Sequence, residues 1–256
     1  MSTQRCTIIL PTTRPDGLPL VNQCLQRQSM QHWNLLIVVP ESLLGSFAVK
    51  SDRMRIIAEP PKRPGDFYRL NGAWNAAVKA ATTELLIFAV DWIWFQPDAL
   101  QRFVDYHEKF PNDGVTSIGH HYRQIVNGRP EVQWHTDDRL ELLERYETPY
   151  EGFPPIWWEN AFCSLPRSKI MEVGGFDEEY DQFAGMSEKE LACRMYANGS
   201  RFAIDPAIEI RNFTHKKANT QEEWDEAFLG ATALATKHLA EIDAGTRKII
   251  PWRGNI

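Results

Sequence analysis

Cysteine is scarce in this chain. Cys6, Cys24, Cys163 and Cys193 are scattered without Cys-x-x-Cys spacing, which excludes a disulfide framework and favours free thiols in a reducing, cytoplasmic setting. Long apolar runs are absent too. No stretch approaches the roughly 20 residues that span a bilayer, so no integral membrane contact is expected. The opening MSTQRCTIILPTTRP carries too short an apolar core for a signal peptide before Pro11 and Arg14. Nor is there an excess of basic charge. Against 34 Asp+Glu stand 28 Lys+Arg, a formal net charge of −6, which argues against coating nucleic acid by bulk charge and leaves a local basic cleft open. No glycine-rich phosphate loop follows the first apolar run, and no repeat or low-complexity tract interrupts the chain. With 43% hydrophobic and 24% charged residues over 256 positions, the chain is neither disordered nor collagen-like, and one domain with an appendage is expected. Tryptophan is the exception to these modest numbers: there are nine, five of them between Trp92 and Trp158.

Periodicity assigns the elements. Residues 6–10 (CTIIL), 35–39 (LLIVV) and 85–90 (LLIFAV) are continuous apolar runs that read as strands buried on both faces, with a shorter run at 55–58. Residues 18–28 carry apolar positions at helical spacing, and the alanine-rich 70–81 stretch is helical. Strand, helix, strand, strand, helix, strand in this length predicts an α/β sheet built from βαβ units. The second half is less regular. Helices are expected at 97–109, 137–147, 166–173, 187–198 and 220–242. Strands at 114–118 and 124–134 include the hairpin signal Asn127-Gly128.

In open α/β sheets, ligands bind beyond the carboxyl ends of the strands. Pro11 to Asp16 follows the first strand, Pro40-Glu41-Ser42 the second, and Asp91-Trp92-Ile93-Trp94 the fourth. A cationic loop with Lys62, Arg63 and Arg69 leads into the second helix. Turns, carboxylates and cations along one edge suit a nucleotide with phosphates. The same residues also suit a solvated surface loop.

Four blocks carry a resemblance: TIILPTTRPDGLPLVNQCLQRQS, RLNGAWNAAVKAATTELLIFAVD followed by PDAL, WENAFCSLPRSKIMEVGGFDEEY, and SEKELACRMYANGSRFAIDP. In this order they resemble a family 2 glycosyltransferase over most of residues 7 to 215. The GGFDE block followed by an acidic helix start is the most specific part. The resemblance implies a GT-A fold, Rossmann-like, with a mostly parallel sheet flanked by helices and a C-terminal helical extension. It implies a domain over 1–216, with a nucleotide-sugar half at 1–96 and an acceptor half at 97–216, and an extension over 217–256. It also implies inverting transfer from a nucleoside-diphosphate sugar to a hydroxyl acceptor.

Carried over position by position, the resemblance places Pro11, Thr12, Arg14, Glu41, Arg69, Asn75 and Asp91 at the nucleotide sugar. Trp74 stands where the family often has an arginine, and Lys62, Arg63 or Arg69 could replace that cation. The family ends its fourth strand with Asp-x-Asp, whose carboxylates hold a hard divalent cation, Mn²⁺ or Mg²⁺. Here the stretch reads Val90-Asp91-Trp92, which leaves three readings: Asp91 holding the metal with His215, cations of the 62–69 loop serving instead, or a degenerate site. Glu188 falls where the family keeps its catalytic carboxylate, at a helix start, and is the expected general base. The plainer reading of Ser187-Glu188-Lys189-Glu190 is a helix start with favourable dipole contacts. Trp94, Trp157, Trp158, Glu159 and Asn160 are the expected acceptor contacts, since aromatic faces stack on sugar rings.

The acceptor is a glycan in most members of the family. A nucleobase in DNA is the variant that would need a basic stripe of Arg53, Arg55, Lys62, Arg63, Arg69, Lys216 and Lys217. Two other classes compete: a catalytically degenerate GT-A-like module that binds nucleotide sugar, and a nucleotidyltransferase on a related fold. The missing glycine-rich phosphate loop counts against the second.

Overall fold

A computed structural model describes residues 4–47, 51–123, 125–126, 129–130, 133–143, 153–159, 161–213 and 219–252. The first half follows the expected alternation: β1 (Cys6–Pro11), α1 (Leu18–Gln26), β2 (Trp33–Val39), β3 (Met54–Ala58), α2 (Leu70–Ala80) and β4 (Leu85–Ala89). A short β5 (Ile93–Phe95) and α3 (Ala99–Lys109) lead into β6 (Gly114–Tyr122), which runs beyond the expected 114–118. β7 (Ile125–Val126) pairs antiparallel with β8 (Arg129–Pro130) across the expected hairpin, whose turn residues Asn127 and Gly128 lie outside the described residues. Then follow β9 (Gln133–His135), α4 (Arg139–Leu143), β10 (Phe162–Pro166), α5 (Arg167–Glu172), α6 (Ser187–Ala197), β11 (Phe202–Phe213) and α7 (Gln221–Asp243). Three of the strands, β5, β10 and β11, are not foreseen by periodicity.

The strands form one mixed sheet in the order β3-β2-β1-β4-β10-β6-β11-β5, with β9 against β6. β3, β2, β1 and β4 are mutually parallel. β10 reverses the direction by inserting antiparallel between β4 and β6. β1, β2 and β4 are buried on both faces, whereas the edge strand β3 is only partly covered, and alternate side chains divide between two cores. Ile8, Leu10 and Ile87 face α1 and α3 with Phe103, while Ile9, Leu86 and Phe88 face α2, α5 and α6. Trp74 lies wholly buried between Phe88 and Phe176, at ring separations of 5.1 and 6.0 Å. It takes up core space, and truncating so large a buried side chain costs about 3–5 kcal/mol.

The C-terminal extension is a helix followed by a strap. α7 begins with a capping box between Thr220 and Glu223 and packs on α6. After it the chain folds back over the Gly174-Gly175 turn. The Trp252 amide donates to the Met171 carbonyl at 2.9 Å, and the Lys79 ammonium sits 4.3 Å from the Trp252 ring. No helix among the described residues is long and apolar enough to cross a membrane.

Candidate active site at the carboxyl edge of the sheet

The ends of β1 and β4 meet in a compact ionic cluster. Asp91 is buried, 2% exposed, and a buried carboxylate must be paired. Arg14 grips it with both prongs of its guanidinium, Nε donating to Oδ2 at 2.8 Å and Nη2 to Oδ1. The Thr12 hydroxyl donates to Oδ2 at 2.5 Å, and the Arg14 amide in turn donates to Thr12 Oγ1 at 2.9 Å. The turn after Asp91 is strained, because Trp92 sits at φ 58, a region that bulky residues avoid. Gly17 makes room for it: a Cβ there would come within 2.9 Å of the Trp92 indole. Met186, at φ 67 just before α6, is the other described non-glycine residue in this region. The two strained residues thus adjoin Asp91 and Ser187-Glu188, and such strain concentrates at functional sites.

Glu188 stands in the first turn of α6 and is half-buried. Burial raises its carboxyl above the usual range, and the nearby Glu159 adds to this, while its own backbone amide, Lys189 and Ser187 oppose it. A cavity of about 310 Å³ lies nearby, its walls including Trp157, Glu159, Lys189, His121 and Asn212; Glu188 does not line it, but precedes Lys189 on the helix and feels the Glu159 charge. Two residues of its wall are tied to the chain on either side of Asp91, which does not itself line the cavity. Ala161 on its wall accepts the Val90 amide at 3.1 Å, and Asn212 pairs with Ile93. Trp157 is 43% exposed and offers a face to the solvent side.

A buried pair that sequence reasoning misses shapes this wall. Arg139 donates to Asp137 at 2.6 Å and to the Ser117 carbonyl at 2.8 Å, and it lies 3.6 Å from Glu159. It pins the Glu159 segment to β6. Aspartate and arginine two residues apart carry no signal that they will be buried together. Tyr68 is a second missed residue: it is half-buried, burial raises its hydroxyl above the usual range, and the nearby Arg14 charge opposes this.

Other expected residues are engaged elsewhere. Arg69, 7% exposed, donates to Asp181 at 2.7 Å and to Glu178 at 2.8 Å. Asp181 also caps α2, accepting the Asn71 and Gly72 amides at 2.7 and 3.1 Å. Asn75 clips the GGFDE turn, donating to the Phe176 carbonyl at 2.8 Å and accepting its amide at 2.8 Å. Arg63 faces Asp66, Glu178 and Asp181, and Lys62 donates to the Phe67 carbonyl. Arg63 and Arg69 of the cationic loop are therefore tied to the acids of and just after the GGFDE turn, while Lys62 is not. Pro11 is half-buried at the end of β1. Glu41 is exposed at the same sheet edge and takes no part in the Thr12–Arg14–Asp91 cluster.

Among the aromatic residues, Trp158 needs a correction. It is fully buried against Phe202, because its neighbours on β11 and α6 leave it in the core, and it cannot stack on an acceptor from there. Trp94 is half-buried with the Arg211 guanidinium over its ring at 4.6 Å. Asn160 and His215 lie outside the described residues.

The Asp91 site does not fit the two-carboxylate cation of the expected motif. Both its oxygens are already held by Arg14 and Thr12, and its neighbours Val90 and Trp92 bring no ligand. One described grouping elsewhere could hold a divalent cation: ligand atoms of Asp177, Glu179 and His238 lie within 4.8 Å of one another. His238 Nδ1 is 3.3 Å from the Tyr180 hydroxyl, and its Nε2 faces Glu179 at 3.8 Å. Arg247 also bonds Asp177, so a cation there would have to share that carboxylate. This grouping joins the GGFDE segment to α7, apart from the end of β4.

A mixed sheet with this strand order, flanked by helices and followed by a C-terminal helix, is a GT-A fold. No family model and no curated protein sequence matches the chain. Solved structures do. The chain is similar to residues 1–349 of TarS from S. aureus, with a TM-score of 0.58 and 14% identity, over 95% of this chain and 69% of that one. The same stretch of TarS in complex with UDP-GlcNAc matches with a TM-score of 0.57 at 14% identity, over 93% and 71%. GalNAc-T7 with UDP, GalNAc and Mn²⁺ matches with a TM-score of 0.65 at 10% identity, over 93% of this chain and 50% of that one.

Proposed function

We propose that the chain is an inverting glycosyltransferase of family 2, moving a hexosyl or pentosyl group from a nucleoside-diphosphate sugar to a hydroxyl of a glycan. What supports this reading is the position of Glu188 in the first turn of α6, next to Lys189 and near Glu159, two residues that line the cavity. The donor would lie over the ends of β1, β2 and β4, within 1–96. The acceptor would enter the cavity between Trp157, Glu159 and Lys189, within 97–216, with 217–256 as the extension. Four free thiols agree with a cytoplasmic setting.

In the reaction, an acceptor hydroxyl attacks the anomeric carbon from the face opposite the diphosphate. Its proton passes to a Glu188 carboxylate oxygen as the new C–O bond forms. The bond from the anomeric carbon to the phosphate oxygen breaks, and its electron pair leaves with the nucleoside diphosphate. A carboxylate with a raised pKa accepts that proton more readily than an ordinary one. Trp157 supplies a stacking face, and Lys189 and Glu159 are placed to hydrogen-bond hydroxyls.

The test is release of nucleoside diphosphate from a panel of nucleotide sugars, with and without glycan acceptors. Glu188→Gln is expected to lower kcat by on the order of 10²–10⁴-fold while leaving the donor KM near wild type. Unchanged turnover would remove Glu188 from the mechanism. Donor binding without release by the wild type would favour instead the non-catalytic nucleotide-sugar-binding module.

A further inference from the structure

We infer that Arg14 supplies the positive charge that neutralises the departing diphosphate, in the place where the expected fold-family motif would hold a metal ion. This rests on the proposed donor site and names the cation within it. The arginine is held as a fixed fork by Asp91, which the Thr12 hydroxyl holds in turn, so its charge is preorganised and needs no rearrangement when the leaving group forms. A guanidinium has five N–H donors. Asp91 takes one from Nε and one from Nη2, which leaves both hydrogens of Nη1 and one of Nη2 for a ligand. The side chain is 33% exposed, whereas Asp91 beneath it is 1% exposed. The remaining donors therefore lie on the solvent side of the pair, over the sheet edge.

The two neighbouring arginines are already paired with acids, and Lys62, which bonds the Phe67 carbonyl, lies exposed on the loop. Arg69 is buried in its pairs with Asp181 and Glu178, and Arg63 faces Asp66, Glu178 and Asp181. Among the described residues Arg14 has a single acidic partner, Asp91, and that partner orients it. As the bond to the anomeric carbon breaks, the terminal phosphate oxygen gains the electron pair, and the Arg14 N–H groups donate to the developing charge. The acceptor proton goes to Glu188, so no further proton donor is required.

Isothermal titration with UDP, GDP, ADP and dTDP, in EDTA and in excess Mn²⁺, tests the assignment. The wild type is expected to bind its nucleotide equally well in both. Arg14→Ala should weaken that binding by roughly 10- to 100-fold in EDTA, the range for losing charge-assisted hydrogen bonds. Mn²⁺ should recover part of the loss, because the freed Asp91 can then ligate it, and should recover none in the Arg14→Ala/Asp91→Asn double variant. Arg14→Lys keeps the charge without the fork and should bind with an intermediate affinity, still indifferent to EDTA. Near-ultraviolet circular dichroism reports whether each variant keeps its tertiary packing. Wild-type binding abolished by EDTA, or unaltered binding by a folded Arg14→Ala, overturns the role of Arg14 alone. Absence of nucleotide binding by the wild type in both buffers overturns the donor site itself.

Discussion

Glu188 combines a functional position with a thermodynamic cost. Its carboxyl is raised by burial first, with Glu159 contributing as a like charge. A group whose folded pKa lies above its unfolded value adds stability at low pH, and that stability is lost as pH rises through the folded pKa. At neutral pH the ionised Glu188 therefore destabilises the fold. Glu188→Gln is expected to melt higher than wild type at pH 7, with the two converging in acid, as differential scanning fluorimetry across pH would show. Activity should mirror this. The acid limb of kcat/KM is expected above the ordinary carboxylate range, and Glu159→Gln should move it to lower pH by removing the like charge. An unmoved limb would mean that Glu159 does not act on the base. At this scale the sequence is legible in part. Ser187-Glu188 after GGFDE marks the helix start, and Asp91 marks the strand end. The grip of Arg14 on Asp91 is not legible, since it spans 77 residues and depends on β1 and β4 being neighbours. Nor is the left-handed Met186, because nothing in its residue type asks for that conformation.

Elements are readable where one periodicity governs them. β1, β2 and β4 are apolar runs that any parallel sheet would bury, and α2 and α7 have clear helical spacing. β11 is hidden by Pro206 and its charges. The register of β11 on β6 breaks between Ile204 and Glu209, and Pro206 lies within that break, where no ladder hydrogen bond is needed from it. β10 is hidden because its short run Phe162–Pro166 follows a loop and pairs only with distant strands. The Gly174-Gly175 turn shows the same limit. It reads as a helix end, yet what demands glycine is the strap packed against it. Gly175 has φ 77, and a Cβ there would overlap the Trp252 ring and lie 2.7 Å from Asn75 Oδ1. Gly199 has φ 97 with nothing within 4 Å of an added Cβ. Gly199→Ala should therefore cost about 1–2 kcal/mol for backbone strain alone. Gly175→Ala should cost about 2–5 kcal/mol, because overpacking adds to the strain. Urea unfolding measures both. Adding Trp252→Ala to Gly175→Ala should recover part of the difference, and strict additivity of the two changes would show that the strap is not the cause.

Across the whole molecule, charge placement decides between acceptor classes. The net charge of −6 does not forbid a polyanionic acceptor, because a local basic stripe could still exist. In the fold, two described members of that stripe, Arg63 and Arg69, are matched by acids, while Arg53, Arg55 and Lys62 bond neutral groups and keep their charge. Arg53 donates to Gln31 at 3.0 Å and lies over Trp33, and Arg55 donates to the Ala80 carbonyl at 2.6 Å. Lys62 holds the Phe67 carbonyl, and Arg63 and Arg69 are matched by Asp66, Glu178 and Asp181. Lys216 and Lys217 lie outside the described residues. The cavity near Glu188 is walled by Glu159 and Asp138 as well as Lys189, a mixture that suits neutral hydroxyls better than a row of phosphates. Each phosphate contact releases counterions, so a nucleic-acid acceptor engaging six to ten phosphates would lose about 10³–10⁵ in affinity between roughly 50 and 200 mM salt. A neutral glycan releases none. The acceptor kcat/KM is therefore expected to stay nearly flat across that salt range in steady-state assays at saturating donor. A steep fall would show that the acceptor is a polyanion, and would move the search for its binding face to the segment that holds Lys216 and Lys217.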